Sequence, residues 1–348
     1  NGGRFNYSRD IYLQECFMAS YIFQRIIYMI LLLFVLSLAS FAIIQLPPGD
    51  YLNTYIANLE ARKIPVNEEI IEQMRERYGL GQPFFVQYFT WMGNLLQGDM
   101  GDSFMLNRPV NEVIGSRLGV TVILSLTTLL LVYSIAIPIG IYSATHQNSL
   151  GDYIATIFGF LGLATPNFLL ALILMYLTFT YLGWSPGGLF SREYVAEDWS
   201  FGKFIDLLKH LLVPIVVIAT AGTAEIIRIL RGSLLDELGK QYVITARTKG
   251  VTERKLLIKY PVRIALNPIV SSIGYLLPAI ISGATLTSIV MSIPTIGPIL
   301  LQALQSQDMY LAGSIIMLLS ALGLIGTLIS DLLLVAVDPR IRFEARAT

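Results

Sequence analysis

Cysteine and histidine are almost missing from this 348-residue chain, which holds one cysteine, Cys16, and two histidines, His146 and His210. A single cysteine excludes an intrachain disulfide, and two isolated histidines give no structural zinc site. Charge is scarce as well: 14% of residues are Asp, Glu, Lys or Arg, against about 25% in soluble domains. The two signs cancel at 24 each, so no overall field draws the chain to nucleic acid. No Gly-x-x-x-x-Gly-Lys-Ser/Thr loop occurs, so the backbone cradle that holds nucleotide phosphates is absent and the chain is not expected to hydrolyse ATP itself. Nor do paired carboxylates fall on one face of an apolar segment, as a membrane-embedded enzyme would require.

What is abundant is apolar sequence, 54% of the chain. A helix rising about 1.5 Å per residue needs about 20 mainly apolar residues to cross the hydrocarbon of a bilayer. That rule predicts six spans: Tyr21 to Leu46, Leu118 to Tyr142, Tyr153 to Leu182, Leu207 to Leu230, Ile264 to Met291 and Met309 to Val337. The expected fold is an all-α integral membrane bundle. Residues 1–17 are polar and precede Met18, which reads as an ordinary initiator, so they are expected to be an extension outside the fold.

Lys and Arg collect on cytoplasmic loops. Between Arg228 and Arg263 stand nine basic residues against three acidic ones, so this stretch is expected to be cytoplasmic. Six crossings then place both termini on the same side, in keeping with Arg25 near the start and Arg340, Arg342 and Arg346 near the end. Asp331 and Glu225 are the ionisable groups nearest membrane depth, where an ion-coupled carrier or channel would need them. Both lie towards cytoplasmic ends, where pairing with Arg228 or backbone groups, or solvation, accounts for them.

Two stretches on the outer side are long enough to have structure. In residues 47–117, Asn67 can cap a short surface helix that runs through Glu68, Glu69 and Arg77 to a stop at Gly79. This subdomain reads either as a cap that meets an outside partner or as a lid packed on the bundle. In Ser292 to Asp308, Pro294, Gly297 and Pro298 break an apolar run that carries no charge from Ile264 to Gln307. Part of it can re-enter the bundle, since irregular backbone is tolerated only against protein or a water-filled cavity. Thr285, Ser288 and Ser292 are the candidates for lining a pathway, with plain packing as the alternative. The tyrosines Tyr153, Tyr176 and Tyr181, with Trp184, read as interfacial anchors.

The cytoplasmic loop carries the most specific pattern. Its first helix should end at Gly250, which tolerates a left-handed backbone, and Thr252 should cap a second helix with Glu253 in its first turn. A sharp bend follows. Ala246 allows close approach of another surface, while Arg247, Lys249, Arg254 and Lys255 surround the bend with positive charge. Spacing alone leaves two readings open: docking of a soluble partner, or a basic loop that meets anionic headgroups.

Ile244-Thr245-Ala246 with Gly250, and the later Ala265-Leu266-Asn267-Pro268, resemble the Glu-Ala-Ala-containing cytoplasmic motif of binding-protein-dependent ABC importer permeases. The first Glu and Ala are absent, but Thr245-Ala246-Arg247-Thr248-Lys249-Gly250 is close to the form found in the peptide branch. Pro47-Pro48-Gly49-Asp50, Tyr78-Gly79-Leu80, Gly98-Asp99-Met100-Gly101-Asp102-Ser103, Arg108-Pro109-Val110 and Asp338-Pro339-Arg340-Ile341-Arg342 extend the likeness to the first permease of dipeptide and oligopeptide importers. The resemblance implies a type I importer permease fold: a first helix at 18–46, an external subdomain at 47–117, a five-helix core at 118–342 holding the coupling loop 231–263, and a tail at 343–348. It implies a prokaryotic cytoplasmic membrane, a second permease, two ATPase subunits that hold ATP and Mg, and an external solute-binding protein. No cofactor is implied on this chain. Thr245, Ala246, Arg247, Lys249, Gly250, Thr252 and Glu253 would form the ATPase-docking bend. The same branch moves nickel and oligosaccharides, so cargo stays open.

Overall fold

The computed structural model describes residues 7–45, 56, 69, 71–72, 82–103 and 105–337. Among them the regular structure is helical, apart from a two-stranded hairpin in which β1 (Asp102–Ser103) pairs antiparallel with β2 (Arg108–Pro109). The helices are α1 (Tyr7–Gln45), α2 (Phe84–Leu96), α3 (Val110–Thr145), α4 (Leu150–Ala164), α5 (Asn167–Leu182), α6 (Phe201–Leu238), α7 (Gln241–Thr248), α8 (Glu253–Lys259), α9 (Pro261–Ala265), α10 (Asn267–Val290), α11 (Ile296–Gln305) and α12 (Met309–Val337). Four spans are individually long and apolar enough to cross a membrane, Ile22–Ala42, Val110–Thr145, Phe201–Leu238 and Met309–Ala336. Two bent pairs raise the number to six. Helix α1 starts at Tyr7, within the stretch expected to be an extension.

The third expected span is broken into two helices. Helices α4 and α5 meet at 103° across Thr165 and Pro166. Pro166 disfavours a helical backbone at the residue before it, and Thr165 is extended at ψ 119°. The second bent pair joins Glu253–Ala265 to Asn267–Leu276 at 44°.

Helices α3 and α6 form the centre of the bundle and run parallel, with Val132 against Gly222 and Leu230 against Gly140. Helix α4 lies on α6, where Gly162 meets Thr220. Helix α12 packs on α10 and α1. At the α10–α12 crossing a Cβ on Gly274 would stand 2.8 Å from the Thr327 Cα, so the two backbones touch. This is how small residues bring membrane helices together in the absence of a hydrophobic drive between them.

The two ends of the bundle differ. At one end, Phe41 of α1 stacks on Trp91 of α2 and meets Tyr88 edge-on, beside Val110, Val113, Ile299, Tyr310 and Leu311. The Tyr88 and Ser37 hydroxyls share a hydrogen bond of 2.6 Å. Asp308, fully buried, accepts from the Ser103 hydroxyl at 2.6 Å, from Met105 N–H at 3.0 Å and from Leu311 N–H at 3.1 Å, which ties the hairpin to the start of α12. The surface helix expected over 67–78 falls outside the described residues except at 69, 71 and 72. Helix α11 packs against α10, α12 and α3 with Ile296, Gly297, Ile299 and Ala303 buried, and Ile296 N–H donates to Thr121 Oγ1 at 2.9 Å. The segment thus folds back onto the bundle as a short helix buried along one face, with Leu301 and Leu304 exposed on the other. At the other end lie α7, α8 and α9.

Candidate functional site

The bend between α7 and α8 is built from local rules. Helix α7 closes with Gly250 N–H donating to Arg247 C=O at 3.0 Å and Val251 N–H to Ala246 C=O at 3.3 Å, the paired bonds of a Schellman stop. That motif needs a left-handed residue after the helix, and Gly250 has φ +77°. Open space surrounds the position where its Cβ would sit, so the demand for glycine is conformational and not steric. Thr252 stands at the N-cap of α8, but its side chain makes no capping hydrogen bond; the chain turns there without it. What spans the bend instead is Arg247, whose Nε and Nη2 donate to Glu253 at 2.6 and 3.1 Å. Each raises the other's preference for charge: Glu253 lies below the usual carboxylate range and Arg247 above its usual value.

Thr245, Lys249, Thr252 and Glu253 are exposed and Ala246 is half-buried, so the expected docking residues come together on one projection. Arg254 and Lys255 are exposed beside them. Two residues that spacing did not single out complete it. Val243 and Leu256 are fully buried, while Ile244 and Ile258 stay 43% and 60% exposed. Their signal was legible as short apolar runs, Val243-Ile244 and Leu256-Leu257-Ile258, in a basic loop. The Tyr242 hydroxyl donates to Glu237 at 2.5 Å, which ties α7 back to the end of α6.

The candidates for lining a pathway differ in their surroundings. Thr285 packs on α11, where its Oγ1 would lie 2.3 Å from a Cβ on Gly297; Ser288 is buried; Ser292 is exposed at φ +55°. A groove of about 520 Å³ lies elsewhere, between α3, α4 and α6, lined by residues such as Ile135, Ile139, Phe158, Thr220, Thr223 and Ile227. Asp331 pairs with Arg25 of α1 at 3.3 Å and not with Arg228, a pairing between distant parts of the sequence that loop reading did not anticipate. Tyr153, Tyr176 and Tyr181 are exposed, while Trp184 meets His210 edge-on. No group of three or more His, Cys, Asp or Glu side chains gathers among the described residues.

Comparison with known proteins agrees with this architecture. Residues 136–343 match the model of a family described as binding-protein-dependent transport system inner membrane component, and residues 18–127 match its N-terminal model. The chain is similar to the oligopeptide transport system permease protein AppB of Bacillus subtilis, 34% identical over 94% of this chain and 100% of the relative. It is also similar to the dipeptide transport system permease protein DppB of Alkalihalophilus pseudofirmus, 30% identical over 94% and 100%. With the glutathione transport system permease protein GsiC of Escherichia coli, identity is 28% over the same shares. The family model covers more than half of the chain and the relatives are matched over their full length, and the chain belongs to the family of inner-membrane components of binding-protein-dependent transport systems.

Proposed function

We propose that this chain is one of two permease subunits of an ATP-driven peptide importer, and that ATPase subunits dock on the projection formed by α7, Gly250 and α8. The observation that carries the reading is the shape of that projection: two short helices joined at a bend that Arg247 and Glu253 span, with Val243 and Leu256 buried and Ile244, Ile258 and a basic rim exposed. A rigid convex surface with exposed apolar and cationic groups suits a groove on a soluble partner. The peptide cargo rests on what the relatives are named for, oligopeptide, dipeptide and glutathione transport. ATP and Mg bind the partner subunits, and an external binding protein delivers the cargo at the end of the bundle formed by α2 and α11. The bend and both termini face the cytoplasm, as the basic loop requires.

An ion-coupled carrier is not favoured, because Asp331 already has Arg25 as its partner. The test is co-purification of the assembled importer with cysteine cross-linking from Lys249→Cys to the ATPase. A cross-link formed with the wild-type fold, and retention of ATPases lost in Gly250→Pro, is the expected result. Full retention of ATPases by an inserted Gly250→Pro chain overturns docking through this bend. Identification of the ligand held by the cognate binding protein decides the cargo.

A further inference from the structure

A polar cluster stands at the loop end of the bundle, outside the docking projection. Asp152, in the first turn of α4, is 2% exposed. Its two oxygens accept from Arg231 Nε and Nη2 of α6, both at 2.9 Å. The Ser143 hydroxyl of α3 donates to the same carboxylate, and Asn148 N–H of the α3–α4 turn donates at 3.0 Å. One carboxylate therefore holds three helices and the turn between two of them. The carboxylate also lies at the N-terminus of α4, where a negative charge is stabilised. The planar guanidinium fixes both distance and angle, which a single hydrogen bond would not.

The position of this clasp matters. Helix α6 runs seven residues beyond Arg231 to Leu238, about 10 Å, and Gly239 and Lys240 then lead into α7. A displacement of the docking projection reaches Arg231 through continuous helix. On the other side α4 is cut from α5 by the 103° bend at Thr165 and Pro166, so it is free to follow α6. The apolar groove between α3, α4 and α6 begins at the clasp, with Tyr142 and Gly151 in its wall.

We propose that Asp152, Ser143 and Arg231 are positioning residues for transport, joining α3, α4 and α6 into one body that carries movement of the docking projection into the membrane. This rests on the docking reading above. Separating the charges leaves a bundle still packed by Val132, Ile226 and Leu230, and Arg231, partly exposed, can be hydrated. Loss of the clasp should therefore uncouple and not unfold.

The experiment uses the complete importer with its binding protein in proteoliposomes, with ATP hydrolysis and peptide uptake measured together. In Asp152→Asn, ATPase subunits stay bound and binding-protein-stimulated hydrolysis persists, while uptake per ATP falls at least about fivefold, the lower end of typical coupling between two sites. Arg231→Lys, which keeps the charge but loses the bidentate fork, falls less, and Asp152→Glu recovers part of the loss. If Asp152→Asn does not assemble, Ser143→Ala removes one bond to the carboxylate and carries the same comparison. Uptake per ATP unchanged, or uptake and hydrolysis lost in parallel with the ATPases still bound, overturns the proposal. Failure of ATPases to bind the wild-type chain would instead overturn the docking reading, and the two outcomes are distinct.

Discussion

Gly250 is where a single residue decides the local geometry. A side chain at φ +77° costs roughly 1–2 kcal/mol because Cβ crowds the following carbonyl, whereas asparagine adopts that region more readily. Gly250→Val is therefore expected to loosen the bend and raise amide exchange in residues 245–253, and Gly250→Asn to leave it close to wild type. Thr252 gives the opposite lesson. A capping threonine replaced by alanine loses about 1 kcal/mol, but Thr252 makes no such bond, so Thr252→Ala should leave thermal unfolding of the detergent-solubilised protein unchanged. Between Arg247 and Glu253 the pH dependence has a definite sign. A carboxylate held below its ordinary value contributes above that value, about 4.3, and loses the contribution as pH falls through its lowered folded value. Amide exchange at the bend, corrected for intrinsic rates, should be flat from about pH 5 to 8 and rise only in stronger acid.

At the scale of elements, close approach and buried charge set the sensitive places. Gly274 of α10 faces Thr327 Cα with no room for a methyl group, so Gly274→Leu forces the α10–α12 crossing apart at a cost of about 1–3 kcal/mol. A lowered melting midpoint in detergent checks it. Asp308→Ala strands the Ser103, Met105 and Leu311 donors, and a hydrogen bond to a charged group is worth about 1.5–3 kcal/mol. Hairpin 102–109 should become cleavable by protease while α3 and α6 stay protected; an intact hairpin would show that β1–β2 pairing alone holds it. Helices α4 and α5 mark where apolar length misleads. The run from Tyr153 to Leu182 meets the length criterion for one span, and the Thr165-Pro166 pair was visible in it, yet hydropathy alone does not register backbone direction.

For the molecule as a whole, topology follows from parity. The loop-end contacts, Arg25 with Asp331 and Asp152 with Arg231, and the opposite cluster around Tyr88 and Tyr310 place α1, α3, α6 and α12 so that both described termini share the end that carries α7 and α8. Single-cysteine variants at Lys249 and at Leu96, both exposed, should label from opposite faces of sealed vesicles with an impermeant maleimide. Labelling from one face would contradict six crossings. By itself the sequence determined the membrane class, the basic loop and the break at Gly250, because each depends on residues close together in the chain: apolar run length, charge excess, and a backbone angle that glycine tolerates. Only the tertiary structure decided the partners of Asp331, Asp152 and Asp308, the groove between α3, α4 and α6, and the fit of Thr285 against Gly297. Those contacts join residues that are separate in the sequence, and no local spacing encodes which helices will meet.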